Sequence, residues 1–318
     1  MFYPALRLDL SLFAFLVVSI LTVPRPGTAP PQQDHKASLA SLESVADSGD
    51  AAGEYKLAYF LFQNDHPADF RTILTWLRAS ASQHYAPAQF LLGYFYENGL
   101  GVPRDYAQAA ENYRAAALQG HSTAENNLAG LYRTGHGVGQ NFGTALEWYL
   151  SSANHGNPIG QYNVATFYFL GYATPRDYAQ AAKWFSAAAE VGDAQAQHAL
   201  GFLYFKGLGV TRDYTQAVHW EGLSAQQGCR DAETDLGFLF ENGKGVSLDY
   251  VTAYAWYSRA AALGDKTAAA RRNSLAHLLT AQQIAQANAL LAANSPQTNP
   301  TPSSDSGSSS DSFSIAQD

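Results

Sequence analysis

YAPAQFLLGYFYENGLGVPRDYAQAAENYRAAALQG, residues 85–120, decides the fold. Ala88, Leu92, Phe95 and Tyr96 stand at i, i+4, i+7 and i+8, one apolar face of a helix of about twelve residues. The helix stops at Asn98-Gly99, where glycine accepts the left-handed conformation a helix end requires. Gly101-Val102 continue the loop, and Val102 fills the gap between two helices. Asp105 then offers a side-chain oxygen to the free N–H groups of a second helix. Gln108, three residues on, completes the pattern of a capping box. The stretch predicts helix A, a glycine loop, helix B and a short turn.

The same unit of 36 residues runs through the chain six times without insertion or deletion. Trp76, Asn112, Trp148, Trp184, Trp220 and Trp256 share one position, and Gly120, Gly156, Gly192, Gly228 and Gly264 another. The cap column reads Asp69, Asp105, Asn141, Asp177, Asp213 and Asp249, with Gln108, Gln180 and Gln216 making the box in three copies. Ala109, Ala145, Ala181, Ala217 and Ala253 form a small-residue column, as do Ala116, Ser152, Ala188, Ser224 and Ala260. Small residues at these spacings let helix backbones approach closely. A fixed period of this length marks a solenoid, in which each unit contacts its neighbours. The recurrent aspartates are helix caps rather than catalytic carboxylates, because they repeat with the helix start.

These residues resemble Sel1-like repeats, relatives of the tetratricopeptide repeat. The pattern stands as Leu200-Gly201-Phe202-Leu203-Tyr204, Gly207-Leu208-Gly209-Val210, Asp213, Gln216-Ala217, Trp220, Ser224-Ala225 and Gly228. The resemblance implies an all-α, right-handed superhelical solenoid of six repeats over residues 49–264, closed by C-terminal capping helices over 265–293. Thr280 starts the last of these. Repeat 1, residues 49–84, keeps Trp76 and Ala81 but loses the glycine loop, as a degenerate N-terminal cap does. Repeat 4 writes its loop as Gly171-Tyr172-Ala173-Thr174, so its local curvature is expected to differ.

The two ends differ from the array. Arg7 precedes an uncharged run from Leu10 to Val23, the length of a signal-peptide core and short of a membrane span. Residues 1–23 are therefore expected to be a signal peptide or, through residues 8–23, a short anchor, placing the protein in the periplasm or outside the cell. Residues 24–48 open with the proline-rich PRPGTAPPQQ, a linker leading into the N-terminal cap. Residues 294–318 are dense in Ser, Pro and Asp, too polar to offset ordering entropy, and are expected to be a disordered tail. A net charge of −8 excludes a nucleic-acid face, which needs clustered Lys and Arg. The single Cys229 allows no internal disulfide.

Residues the repeat does not dictate are candidates for a site. On the face of helix A away from helix B, three columns vary from unit to unit. They read Phe90, Asn126, Tyr162, His198, Thr234; then Tyr94, Gly130, Thr166, Phe202, Phe238; then Glu97, Arg133, Phe169, Phe205, Glu241. Aromatic side chains with a few polar groups suit a concave groove for a peptide or helix. Tyr94, Arg133, Tyr162, Phe169, His198 and Phe202 are expected to contact the partner, and Asn127 and Asn163 to bond an extended backbone. The resemblance implies an exported scaffold or adaptor for envelope proteins; binding of peptidoglycan or another envelope glycan, or a cell-wall or β-lactam amide hydrolase, are the alternatives. No nucleophile elbow, phosphate loop or dinucleotide fingerprint is present, and no cofactor is implied. The nine histidines show no i, i+4 pair beside a carboxylate, so no metal site is expected; His121, His136 and His155 are those the loops bring nearest.

Overall fold

Helix follows helix at the spacing set by the caps and glycines. The computed structural model describes residues 32–63 and 70–293, and every regular element among them is an α-helix. They divide between two compact units. The first holds α1 (Gln32–Ala46), α2 (Ala51–Gln63), α3 (Phe70–Ser82), α4 (Ala86–Asn98), α5 (Tyr106–Ala117), α6 (Ser122–Thr134), α7 (Phe142–Asn154), α8 (Pro158–Leu170) and α9 (Tyr178–Glu190). The second holds α10 (Ala194–Lys206), α11 (Tyr214–Gln226), α12 (Arg230–Asn242), α13 (Tyr250–Ala262), α14 (Lys266–Ala276) and α15 (Ala281–Ala293). Within the first unit each helix packs on the next. In the second, α10 to α14 do the same and α15 returns to α13. The proposed leader over 1–23, the cap residue Asp69 and the tail over 294–318 lie outside the described residues.

Small residues set the packing. Ala109, Ala145, Ala181, Ala217 and Ala253 are fully buried, and so are Ala116, Ser152, Ala188, Ser224 and Ala260. The serines stay buried because Ser152 Oγ donates to Ser122 O and Ser224 Oγ to Ala194 O, both at 2.7 Å. A buried hydroxyl without such a bond is destabilising. Large side chains fill the remaining space: Leu128, Tyr113 and Phe95 in the first unit, Leu203, Leu239 and Tyr257 in the second. Leu39, Leu42 and Ala46 of α1 pack on the core of α2, α3 and α4.

Each helix B starts as its cap predicts. Asp105, Asp177, Asp213 and Asp249 accept from the second and third N–H groups of their helices, and Asn141 accepts from Thr144 N. The capping box, however, is only half made. The N–H of the cap residue is bonded to a carbonyl in helix A instead: Asp105 to Tyr96 O, Asn141 to Tyr132 O, Asp177 to Tyr168 O, Asp213 to Tyr204 O and Asp249 to Phe240 O. Gln108 turns to Glu111 at 3.1 Å. The full reciprocal box occurs at α15, where Thr280 N donates to Gln283 Oε1 and Gln283 N donates to Thr280 Oγ1.

The fourth loop keeps its backbone despite its sequence. Gly137 has φ +68°, and a Cβ there would lie 2.2 Å from the carbonyl carbon of Tyr106. Ala173 occupies the same place in its repeat and adopts φ +63°. The loop shape is thus retained at the expense of a left-handed alanine, which costs about 1 kcal/mol or more.

Two substitutions test this account in urea unfolding of the whole chain. Asp177→Ala removes the side-chain acceptor of two N–H groups and should lower stability by about 1 kcal/mol. Ala173→Gly relieves a left-handed alanine and should raise it by about 0.5 kcal/mol, after the extra chain entropy of glycine. An Ala173→Gly protein that unfolds at lower urea would show the loop to be unstrained.

Candidate functional site

The variable columns of helix A are built into the fold more deeply than a bare groove would be. In the first unit, α4, α6 and α8 carry them. Position 97 and its equivalents meet aromatic side chains of the following helix B, the buried Tyr113 and Tyr149 in two repeats and the half-buried Tyr178 in the third. Tyr113 OH donates to Glu97 Oε2, Arg133 hydrogen-bonds the Tyr149 phenol, and Phe169 meets the Tyr178 ring edge-on at 5.3 Å. Burial, and then the Glu97 carboxylate, raise Tyr113 well above its ordinary pKa. Burial also raises Glu97, against the Tyr113 bond and the nearby His136.

Tyr94 and Tyr162 are half-buried rings, braced by Phe62 at 6.5 Å and by Phe185 at 5.5 Å. Between them runs a chain of amides: Asn163 Nδ2 donates to Asn126 Oδ1 at 2.8 Å, and Asn126 Nδ2 to Asn127 Oδ1 at 3.4 Å. Asn127 ends the chain with its amide buried beside the Tyr113 phenol. Asn127 is 7 % exposed and offers almost no surface to a partner, whereas Asn163 is half-buried. Tyr94, Arg133, Tyr162, Asn163 and Phe169 thus share the accessible part of three successive A helices.

In the second unit, Phe202 is half-buried beneath the Lys206 ammonium, 5.7 Å from the ring centre. His198, expected at a partner face, is 2 % exposed and turned inward. Its Nδ1 lies 2.8 Å from Glu221 Oε2. The helix B column explains the pocket it enters: Tyr113, Tyr149, Phe185 and Tyr257 are buried aromatics, and Glu221 replaces the ring in the repeat between the last two. Asp235, also fully buried, joins them from α12, and donor atoms of the three side chains all lie within 4.8 Å of one another.

Burying charge in this way is costly unless the charges are paired. Burial disfavours the His198 imidazolium, but the Glu221 carboxylate and its hydrogen bond outweigh it and hold His198 well above the usual range. Burial pushes Glu221 up to about 8, against the pull of His198. His198, Glu221 and Asp235 are the one set of three metal-ligating side chains brought together among the described residues. The loop histidines find separate partners. His121 stacks on Phe90 and caps α6, His136 stacks on Tyr106, and His155 pairs with Glu125 at 2.9 Å.

The Sel1 repeat profile matches five consecutive units, 86–121, 122–157, 158–193, 194–229 and 230–265. The degenerate unit at 49–84 lies outside them. Among solved structures, a protective antigen of uropathogenic Escherichia coli displaying an SLR fold is 34 % identical, with a TM-score of 0.74 over 80 % of this chain and 56 % of that one. The chain therefore corresponds to little more than half the length of the antigen. A Sel1 repeat protein from Oxalobacter formigenes is 30 % identical, with a TM-score of 0.63 over 67 % of this chain and 87 % of that one. No curated protein matches the chain. With five profile matches in register over more than half its residues, and the helical pairing those matches require, the chain belongs to the Sel1 repeat family.

Proposed function

We propose that the protein is an exported interaction scaffold, an adaptor or regulator of bacterial envelope proteins that holds a peptide or helix segment on the face of α4, α6 and α8. The observation that carries this reading is the run of braced, half-buried rings and amides from Tyr94 to Tyr162 and Asn163. Rings already fixed by Phe62 and Phe185 lose little freedom when a partner covers them. Asn163, tied to Asn126 through one N–H, keeps its carbonyl side for an extended backbone. Arg133 and Glu97 set opposite charges on the same face, which fixes the register of a partner.

Family membership supports a binding role, since Sel1 repeats in general mediate protein–protein contacts. Export rests on Arg7 and the apolar run that follows it, in residues outside the described part. No helix among the described residues is long and apolar enough to cross a membrane.

Crosslinking in the native host, followed by affinity capture, tests the proposal with wild type and a Tyr162→Ala/Arg133→Ala double variant. The double variant should bind the captured partner about thirty-fold or more weakly, the effect of losing a binding hot spot. Circular dichroism establishes that its helices are retained. Equal capture by both proteins would move the site off this face, and capture of sacculus fragments in place of protein would turn the reading to glycan.

A further inference from the structure

We propose that His198, Glu221 and Asp235 form a binding site for one divalent transition-metal ion, which ties α10, α11 and α12 together. Each helix contributes one ligand, and at each position the other repeats carry a different chemistry. His198 replaces Phe90, Asn126, Tyr162 and Thr234; Glu221 replaces three tyrosines and a phenylalanine; Asp235 replaces Leu91, Asn127, Asn163 and Ala199. The repeat requires none of the three, yet they coincide in space, with donor atoms within 4.8 Å of one another and all three side chains buried.

The hydrogen bond between His198 and Glu221 accounts for one nitrogen and one oxygen. It leaves Glu221 Oε1, fully buried, with no hydrogen-bond partner. That oxygen lies where residue 201 is glycine; a Cβ there would meet it at 2.6 Å. A carboxylate oxygen so placed is strongly unfavourable unless something neutralises it. A cation held there would neutralise that oxygen. Lys206, at the end of α10, interacts electrostatically with Asp235.

One imidazole and two carboxylates form a donor set suited to Zn2+ and its neighbours. Bonds of about 2.0–2.2 Å hold tetrahedral ligands about 3.4 Å apart. Loading therefore requires the 2.8 Å contact between His198 and Glu221 to open by roughly half an ångström and the wider separations to close. With three buried ligands, the ion acts as a structural clasp on three consecutive helices.

Zn2+ is the probe. The full chain, stripped with a chelator, is titrated with Zn2+ against a chromophoric competitor, and its thermal midpoint is followed in parallel. Wild type should take up one tightly bound ion and gain several degrees in midpoint. Glu221→Gln and Asp235→Asn preserve shape and should each weaken uptake at least tenfold. Glu221→Tyr restores the ring that Gly93 and Gly237 accommodate opposite Tyr113 and Tyr257, so it should fold and lose the tight ion altogether. Replacing Zn2+ with Co2+ should give wild type, and not Glu221→Tyr, a visible ligand-field spectrum. The proposal is overturned if wild type binds no tight ion, or if Glu221→Tyr binds it equally well, which would assign the uptake to surface histidines.

Discussion

The hydrogen bond from the N–H of each helix B cap to a carbonyl near the end of helix A is the constraint on which the repeat depends. In five successive units it spans nine residues of sequence at 2.8–3.0 Å. It satisfies one of the orphan carbonyls at the C-terminal end of helix A. It also fixes where helix B begins and leaves the cap side chain free to serve the next two N–H groups. Everything downstream follows from that closure. The glycines bend the chain so the bond can form, and the alanine columns meet because both helices start in a fixed place.

The closure also explains why a familiar local pattern was misleading. Gln108, Gln180 and Gln216 stand where a capping-box partner stands, but the N–H they would receive is already committed to helix A. At Thr280 the N–H goes to Gln283 instead of to a carbonyl of the preceding helix, and the box forms with both bonds. A sequence motif four residues long records what two groups are able to do. A third group nine residues upstream decides the outcome.

Helix starts, helix ends and the small-residue columns were legible because each rests on local chemistry repeated in register. The loop of repeat 4 was legible as a departure but not in its result, since Ala173 bears strain instead of changing the backbone. The polar set was harder. His198 and Asn127 lie on faces that a single helix presents as outward, and only the packing of the neighbouring helix covers them. Reading the helix B column would have exposed Glu221 as the acid among Tyr113, Tyr149, Phe185 and Tyr257. The meeting of His198 with Glu221 and Asp235 depends on three helices at once, and no spacing along the chain announces it.

Because each closure is completed inside its own unit, a whole unit is an interchangeable cassette. Removing or adding 36 residues in phase therefore leaves every hairpin closed. Junctions bridged by polar contacts peculiar to their units are exempt, as where Asn163 bonds Asn126. His198 and Glu221 sit in one matched unit and Asp235 in the next, so an exchange between 194–229 and 230–265 parts Asp235 from the His198–Glu221 pair it is buried with. That constellation couples the two units, since parting them leaves buried polar groups without their neighbours.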